Sequence, residues 1–206
     1  MPIMDGMELC ETIKSNILTS HIPVLLLTAK TSEEAQKEGF AHGADAYITK
    51  PFNTDLLVLR VNNILRSRKK LIEKFKKERI LEPSELTATS TDELFLQKAI
   101  DLIEKNMSST EFSINDFIKE MGMSRSVLYR KLKALTDQSI TEFIRTIKLK
   151  RAGQLILQSQ LSISEIAFDL GFNDLKHFRK SFQKLFNELP SEYRQKHTSK
   201  ETDNGA

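Results

Sequence analysis

The sequence predicts a mainly α-helical protein, with an all-α domain in its C-terminal half, a partial α/β segment near its N-terminal end and a long helix between them. Short apolar runs alternate with amphipathic helical stretches over residues 1–54. Heptad-like spacing follows over residues 55–79. A unit of helix, glycine turn and helix then occurs twice over residues 113–194, at a shift of about fifty residues.

Residues 1–54 predict two parallel strands. A helix is expected after the turn at Gly6, and a second amphipathic helix is expected to end at Gly43. The apolar runs PVLLLTA and DAYITK have the length of short strands. Strands that alternate with helices are typical of a parallel sheet, which binds ligands at the carboxyl ends of its strands. Thr28 and Lys50 both fall at these ends.

Residues 55–79 predict one long basic helix. Its apolar positions follow a heptad-like seam, which a single arginine interrupts. The seam consists of Leu57, Val61, Ile64, Arg68, Leu71 and Phe75. A dimerising coiled coil is one interpretation. The alternative is a helix whose first half packs on the sheet and whose second half is a solvated linker.

Residues 80–89 predict a linker, because Pro83 and several hydroxyl residues break the helical periodicity. Ser90 and Glu93 then form the S-x-x-E capping pattern of a new helix. This helix is expected to pack on the first helix-turn-helix unit through one apolar stripe. The stripe consists of Leu94, Phe95, Ala99, Ile100 and Ile103.

The first copy of the repeat predicts two helices that meet at a glycine. Ile114, Phe117, Ile118 and Met121 recur at helical spacing, and Gly122 takes the place of a left-handed closing residue. Ser124 is expected to cap the second helix, which turns Leu128, Leu132 and Leu135 inward. The opposite face is basic, polar and aromatic. It carries Arg125, Ser126, Tyr129, Arg130 and Lys133.

The second copy repeats this arrangement around Gly171. Its first helix carries Ile163, Ile166, Ala167 and Leu170 at helical spacing. Asp174 or Asn173 is expected to cap the second helix. That helix turns Phe178, Phe182 and Leu185 inward. Its other sides carry Lys176, Arg179, Lys180 and Gln183.

A helix presented after a glycine turn has the geometry that enters the major groove of DNA, although such helix pairs also occur in ordinary bundles. Here the pair occurs twice, and residues 141–157 predict an intervening helix of about 25 Å. This spacer could set two recognition helices about 34 Å apart, which is one turn of DNA. Residues 113–197 carry fifteen Lys or Arg and nine acids, whereas residues 1–54 carry four and seven. The positive charge therefore lies on the half predicted to bind DNA.

Four motifs in this half resemble the AraC-type tandem helix-turn-helix domain of bacterial transcription regulators: SRSVLYRKLK, ISEIAFDLGF, HFRKSFQKLF and PSEYR. The resemblance covers residues 113–196 and implies sequence-specific binding of double-stranded promoter DNA. Leu175 departs from the family, which more often has a polar residue there, and it could meet a thymine methyl group or be a silent surface position. The predicted contacts are Ser124, Arg125, Ser126, Tyr129, Arg130 and Lys133 in one groove, and Asn173, Asp174, Lys176, His177, Arg179 and Lys180 in the next.

Three motifs near the N-terminal end resemble the C-terminal half of a two-component receiver domain, with its fourth and fifth strands: MPIMDGMELC, HIPVLLLTAKT and GADAYITKPF. The resemblance implies that Thr28 and Lys50 contact an aspartyl phosphate, that Tyr47 turns inward on activation, and that the bond from Lys50 to Pro51 is cis. The phosphorylated aspartate of the family would precede Pro2, so we expect no phosphoacceptor in this chain. Thr28, Tyr47 and Lys50 are therefore interpreted as a vestigial receiver switch.

The predicted domain order is a truncated receiver-like segment, a long basic helix with a linker, an AraC-type DNA-binding domain and a disordered tail. Their limits are residues 1–54, 55–89, 90–197 and 198–206. This order resembles the output end of hybrid two-component regulators, in which sensor, kinase, receiver and AraC-type domain share one chain. The predicted function is a sequence-specific transcription regulator, the output part of a two-component phosphorelay. The alternative is a protein-interaction module that binds a partner receiver or kinase, with weak or no specific DNA binding.

No catalytic pattern rises above chance, so we expect no enzyme, no cofactor and no small-molecule substrate. The four histidines show no metal-ligand spacing with Cys10, the single cysteine. That cysteine count and the lack of an apolar run of about eighteen residues predict a cytoplasmic chain without a membrane segment. Two strands alone would leave the apolar stretch 24–27 uncovered, so this segment is expected to be mobile, swapped or dimerised. A homodimer through the receiver remnant and the 55–79 helix is one interpretation.

Overall fold

The computed structural model describes residues 4–77, 90–109 and 112–203. In these ranges the helices are α1 (Gly6–Ser15), α2 (Glu33–Ala41), α3 (Thr54–Lys77), α4 (Ser90–Lys105), α5 (Ile114–Met121), α6 (Arg125–Thr136), α7 (Ile140–Gln158), α8 (Ile163–Asp169), α9 (Leu175–Phe186) and α10 (Pro190–Asp203). The strands are β1 (Leu25–Thr28) and β2 (Ala46–Thr49). The predicted fold class is confirmed, because a short α/β segment precedes a long all-α part.

The chain divides into two compact units. One consists of Met1–Phe75, Glu82–Gln97 and Lys133–Asp137; the other consists of Lys76–Leu81, Lys98–Leu132 and Gln138–Ala206. The first unit holds the strand pair, α1, α2, most of α3 and the first half of α4. The second unit holds the rest of α4, most of α6, and α5 and α7 to α10.

β1 and β2 form a parallel pair, as predicted. Leu25 lies opposite Ala46, and the register continues to Thr28 opposite Thr49. The β2 strand is buried up to Ile48, but Leu27 in β1 is 41% exposed. The strand pair therefore leaves part of its apolar surface uncovered, as expected for two strands.

Asp45, in the loop before β2, connects three parts of the first unit. Its carboxylate accepts hydrogen bonds from the Lys14 ammonium at 2.5 Å and from the Val24 backbone N–H at 2.8 Å. Lys14 lies on α1 and its side chain is only 7% exposed. The ion pair thus fixes α1 beside the start of both strands. The preceding helix α2 ends at Ala41, slightly before the predicted end at Gly43, whose φ is +85°.

The α3 helix confirms the predicted long helix but not all of its predicted seam. Phe75 is fully buried, and Leu57, Ile64, Arg68 and Leu71 are half-buried. Val61 is 41% exposed at the edge of this covered face. Val58 and Leu65 are exposed on the same side as Val61, and Leu56 and Leu59 are exposed elsewhere on the helix. The predicted linker 80–89 lies outside the described residues.

The α4 helix buries a stripe that differs by one residue from the prediction. Leu94 is 70% exposed, whereas Leu96 is fully buried. Leu96 lies one turn before Ile100 on the same face, and Leu94 lies on the opposite side. Asp92 is buried on this face as well, and its carboxylate accepts a hydrogen bond from the Ser20 hydroxyl at 2.7 Å.

The core of the second unit is built around α7, which packs against α8, α9 and α10. An aromatic cluster fills the space between α9 and α10, with ring centroids of Phe182 4.4 Å from Phe186 and 5.4 Å from Tyr193. Gly153 lets α7 pack closely against α9, because a Cβ atom at this position would lie 3.0 Å from the Phe186 ring. No proline or glycine occurs in residues 191–203, and α10 continues through Asp203 into the tail predicted to be disordered.

Candidate nucleic-acid interface

The first helix pair turns at Gly122, as the sequence predicts. Gly122 has a φ of +71° and closes α5 in the left-handed conformation. Ser113 starts α5 with a capping box, in which its hydroxyl and backbone N–H donate hydrogen bonds to Asp116 and hold the pKa of that carboxyl below its ordinary value. Ser124 caps α6 by accepting a hydrogen bond from the Val127 N–H at 3.4 Å. The two caps thus set the residues at which α5 and α6 begin.

The α6 helix buries one face and exposes the other. Leu128 and Leu132 are fully buried and Leu135 is nearly so, as predicted. All five residues predicted on the outward face are exposed; they are Arg125, Ser126, Tyr129, Arg130 and Lys133. This outward face of α6, called its recognition face below, is therefore free of core contacts along the helix.

The cations of this face differ in their partners. The Arg125 guanidinium donates a hydrogen bond to the Asn115 side-chain oxygen at 3.0 Å, and Arg130 donates to the Ser126 backbone oxygen at 3.3 Å. Both acceptors are neutral, so both arginines keep a full positive charge for another partner. Lys133 instead forms an ion pair with Asp137 at 2.7 Å.

A groove with a volume of about 680 Å³ adjoins the start of α6. It is lined by Ile114, Ser124, Arg125, Ser126, Tyr129, Ser139, Ile140 and Thr141. The groove joins the recognition face to the first turn of α7. Ser139 caps α7 through a capping box with Glu142. Ser139 and Thr141 line this groove but are not among the contact residues predicted from the sequence, although the S-x-x-E pattern at 139–142 marks the start of a helix.

The second helix pair turns at Gly171, whose φ is +73°. A Cβ atom at this position would lie 3.0 Å from the Lys148 ammonium and 3.0 Å from the Met107 carbonyl oxygen. Gly171 is therefore required by both backbone conformation and space. Asp174, and not Asn173, caps α9: its carboxylate accepts a hydrogen bond from the Lys176 N–H at 2.8 Å.

The α9 helix repeats the division into two faces. Phe178 and Phe182 are fully buried, while Leu185 is half-buried. The predicted contact residues Asn173, Asp174, Lys176, His177, Arg179 and Lys180 are all exposed. Within the described part of the chain, Lys176, Arg179 and Lys180 form no ion pair, so their charges are available. Leu175 is half-buried beside them.

The α7 helix lies between the two copies. Its 19 residues give a length of about 28 Å at 1.5 Å per residue. Buried side chains occur along its whole length, from Ile140 to Ile156. Lys148 on α7 also donates a hydrogen bond to the Met107 oxygen at 3.3 Å, and burial lowers the pKa of its ammonium. The predicted spacer is thus a core helix rather than an exposed rod.

The predicted receiver switch residues meet at the carboxyl ends of the two strands. The Lys50 N–H donates to the Thr28 backbone oxygen at 2.6 Å, and the Thr28 hydroxyl accepts from the Lys30 N–H at 3.1 Å. Tyr47 is 5% exposed, and its hydroxyl donates to the Lys30 oxygen at 3.0 Å. The bond from Lys50 to Pro51 is cis, as the resemblance implies.

Within the described ranges 4–77, 90–109 and 112–203, no three His, Cys, Asp or Glu side chains form a group suited to a metal ion. No helix there is long and apolar enough to cross a bilayer.

Two capped helix pairs with exposed basic second helices define a helix-turn-helix DNA-binding transcription regulator. The family described as a helix-turn-helix domain matches residues 117–196, and the response regulator receiver domain matches residues 1–62. The chain belongs to the transcriptional regulatory proteins, with receiver-domain sequence before an AraC-type helix-turn-helix domain. This combination is that of a transcription regulator in a two-component system.

The chain is similar to several known proteins. It is 46% identical to histidine kinase P4 of Formosa agariphila over 198 residues, which are 96% of this chain and 14% of that protein. It is 36% identical to the transcriptional regulatory protein SpaR of Bacillus subtilis over 157 residues, which are 73% of this chain and 67% of that protein. A solved AraC-type transcriptional regulator from Chromobacterium violaceum is 29% identical, with a TM-score of 0.48, and the match covers 52% of this chain and 96% of that one.

Proposed function

We propose that this chain is the output part of a two-component phosphorelay and that it binds promoter DNA by placing α6 and α9 in two successive major grooves. The supporting observation is that both helices follow a left-handed glycine turn, bury one apolar face and expose one basic face. In this proposal residues 90–197 are the DNA-binding domain. We expect the chain to act in the cytoplasm, where its partner is DNA, and to bind that DNA without catalysing a reaction.

On α6 we assign base contacts to Arg125 and Arg130. Each has a charged, exposed guanidinium with only a neutral protein acceptor. A bidentate contact of arginine with guanine contributes about 1–3 kcal/mol of discrimination. Ser124, Ser126 and Tyr129 line the adjoining groove and would contact backbone phosphates or base edges. The charge of Lys133 is offset by Asp137, so its contribution would be smaller.

On α9 we assign the equivalent contacts to Lys176, Arg179 and Lys180. Their charges have no acidic partner in the described residues, which favours phosphate binding through counterion release. Asn173 and His177 are exposed at the start of the helix, where side chains reach base edges. Asp174 has a positioning role, because its carboxylate is engaged in capping α9.

We propose that Thr28, Tyr47 and Lys50 retain the geometry of a receiver switch without an acceptor among the described residues beside them. The aspartates within the three receiver-like motifs are Asp5 and Asp45. Asp5 caps α1 by accepting hydrogen bonds from backbone N–H groups, and Asp45 is held by Lys14 and Val24. Both carboxylates therefore have structural roles, which favours the interpretation of this trio as vestigial in the chain by itself.

We also propose that exposed apolar side chains of α3 form a homodimer contact. Val58, Val61 and Leu65 share one side of the helix at spacings of three and four residues, and they are 41–57% exposed. Contiguous exposed apolar side chains favour a protein interface. Equilibrium sedimentation of the chain, compared with a Leu65→Glu variant, tests this contact. A monomer at all concentrations would contradict it.

The DNA-binding proposal is tested by selecting bound sequences from a random duplex library. The parent chain is compared with Arg130→Ala and Arg179→Ala, and with the control Arg151→Ala. Arg151 is an exposed arginine on α7, outside both recognition faces, whose guanidinium donates to Gln154. We expect two half-motifs about one helical turn of DNA apart, each lost with its own variant and both kept in the control.

Salt-sensitive, sequence-blind binding that is equal for all four proteins would contradict specific recognition. That result would favour the alternative function, a module that binds a partner receiver or kinase.

A further inference from the structure

A pocket of about 320 Å³ lies in the first unit, between α2, β2 and α3. Its walls are partly apolar, with Phe40, Ala46, Ile64 and Leu71 among the lining residues. Its polar groups include two arginines of α3, Arg60 and Arg68, with Gln36, Asn63 and Ser67. Pockets of this size hold small organic molecules.

The charge inside this pocket is positive. Asp45 also lines it, but its carboxylate is already held by Lys14 and the Val24 N–H. Arg60 is exposed at the pocket, and Arg68 is half-buried in it. The two guanidinium groups thus lie at a pocket in which Asp45 is the one carboxylate of the lining, and Lys14, outside the lining, neutralises it.

Arg68 is the unusual group. In the described part of the chain its guanidinium forms no hydrogen bond and no ion pair, and it is attracted to Asp45 and Asp92 only at longer range. Burial lowers the pKa of this guanidinium, because its charged form loses contact with water. A half-buried cation without a direct partner is costly, and an anion in the pocket would relieve that cost.

We propose that this pocket binds a small organic anion, whose carboxylate or phosphate group lies on Arg68 and whose apolar part packs on Phe40, Ile64 and Leu71. A guanidinium presents paired N–H donors that match both anionic groups. Arg60 attracts the anion from the rim. Phe40 is 50% exposed beside the pocket and supplies a ring surface to the ligand. The ligand is an effector and not a substrate, because the pocket lining contains no nucleophile paired with a base.

The test measures binding of two probes, phenyl phosphate and benzoate, to the full chain by NMR titration. Inorganic phosphate and neutral benzyl alcohol are the control probes. We expect saturable shifts for at least one aromatic anion at the signals of Ala46 and Ile64, and at least tenfold weaker binding of both control probes. The better of the two aromatic probes distinguishes a phosphate ligand from a carboxylate ligand.

Two variants and one matched control accompany the titration. Arg68→Met should weaken binding of the better probe at least tenfold, and Phe40→Ala should weaken it at least threefold. Arg66→Ala should leave it within twofold, because Arg66 is an exposed arginine of α3 outside the pocket lining. Phe40 is half exposed, so its truncation keeps the test valid if Arg68→Met does not fold.

Thermal unfolding provides an independent readout. Without a probe, Arg68→Met should melt at the same or a higher temperature than the parent chain, because it removes a half-buried cation without a direct partner. The proposal is overturned if neither aromatic anion binds saturably, if benzyl alcohol binds as tightly, or if Phe40→Ala binds like the parent. It is also overturned if a folded Arg68→Met binds like the parent chain.

Discussion

Replacing Gly171 by alanine is expected to destabilise the second unit more than the same replacement at Gly122. The two glycines have nearly equal φ angles, +73° and +71°. An alanine in this left-handed region costs about 1–2 kcal/mol in either place. A Cβ atom at Gly122 meets nothing within 4 Å, whereas one at Gly171 would lie 3.0 Å from both the Met107 oxygen and the Lys148 ammonium.

The close contact at Gly171 adds a second cost. Lys148 can move its flexible side chain, but the Met107 oxygen belongs to the backbone and accepts the Lys148 hydrogen bond at 3.3 Å. Relieving the contact therefore shifts the backbone or breaks that bond. Insertion of a methyl group into a packed site typically costs about 1–3 kcal/mol. Gly171→Ala should then lose about 2–5 kcal/mol of unfolding free energy, and Gly122→Ala about 1–2 kcal/mol.

Native-state hydrogen exchange of the buried amides of α7 is the suitable assay. A chain with two compact units need not unfold in one step, and exchange reports the unfolding free energy of the unit that carries the amide. Both glycines lie in the second unit, so the same α7 amides report on both variants. Equal losses in the two variants, or a larger loss in Gly122→Ala, would refute the argument from the Cβ contact.

Three further predictions concern charge and burial. Lys180→Ala should reduce the salt dependence of DNA binding, measured as the slope of log K against log salt, by about 1. Lys133→Ala should reduce this slope less, because Asp137 already offsets the charge of Lys133. Filter binding at several salt concentrations measures both slopes, and equal slopes for the two variants would contradict the distinction. Hydrogen bonds from Ser162 lower the pKa of Glu165, so the cap of α8 should contribute fully above the ordinary glutamate pKa of about 4.3 and be lost as pH falls through the lowered value. The exchange protection of the first α8 amides should fall over the same pH range, and Glu165→Gln should remove this pH dependence. Cys10 is fully buried and burial raises the pKa of its thiol, so Ellman's reagent should react with it far more slowly in the native chain than in urea; equal rates would show that α1 opens readily.

The sequence predicts the helix pairs well because their signals are local. A capping serine, an apolar stripe of period 3.6 and a glycine at the turn all lie within about twenty residues, and they need no distant partner. The inward Leu128 and Phe178 and the outward Arg130 and Arg179 follow from this periodicity alone. Capping chemistry also explains why α5 and α8 begin directly after Ser113 and Ser162.

Other features depend on tertiary packing and could not be predicted. Leu94 and Leu96 are equally apolar, and only the surroundings of α4 decide that Leu96 is buried. Lys131 is fully buried, although a lysine in a basic helix is expected to face solvent. The groove that joins Tyr129 to Thr141 arises where α6 meets the start of α7, and no sequence spacing encodes that meeting.

The ion pair between Lys133 and Asp137 has a consequence for how the protein would find its operator. It leaves the exposed face of α6 with two uncompensated arginines, whereas α9 carries four exposed cations without an acidic partner among the described residues, Lys176, Arg179, Lys180 and Lys184, which attract any phosphate backbone. Encounters with random DNA should therefore be made mainly through α9, which needs no particular sequence to bind phosphates. The capture step would then belong to the second helix pair, and α6 would engage afterwards, only where the bases suit Arg125 and Arg130. The association rate with DNA would then depend mainly on α9, and the residence time on the operator would depend mainly on α6.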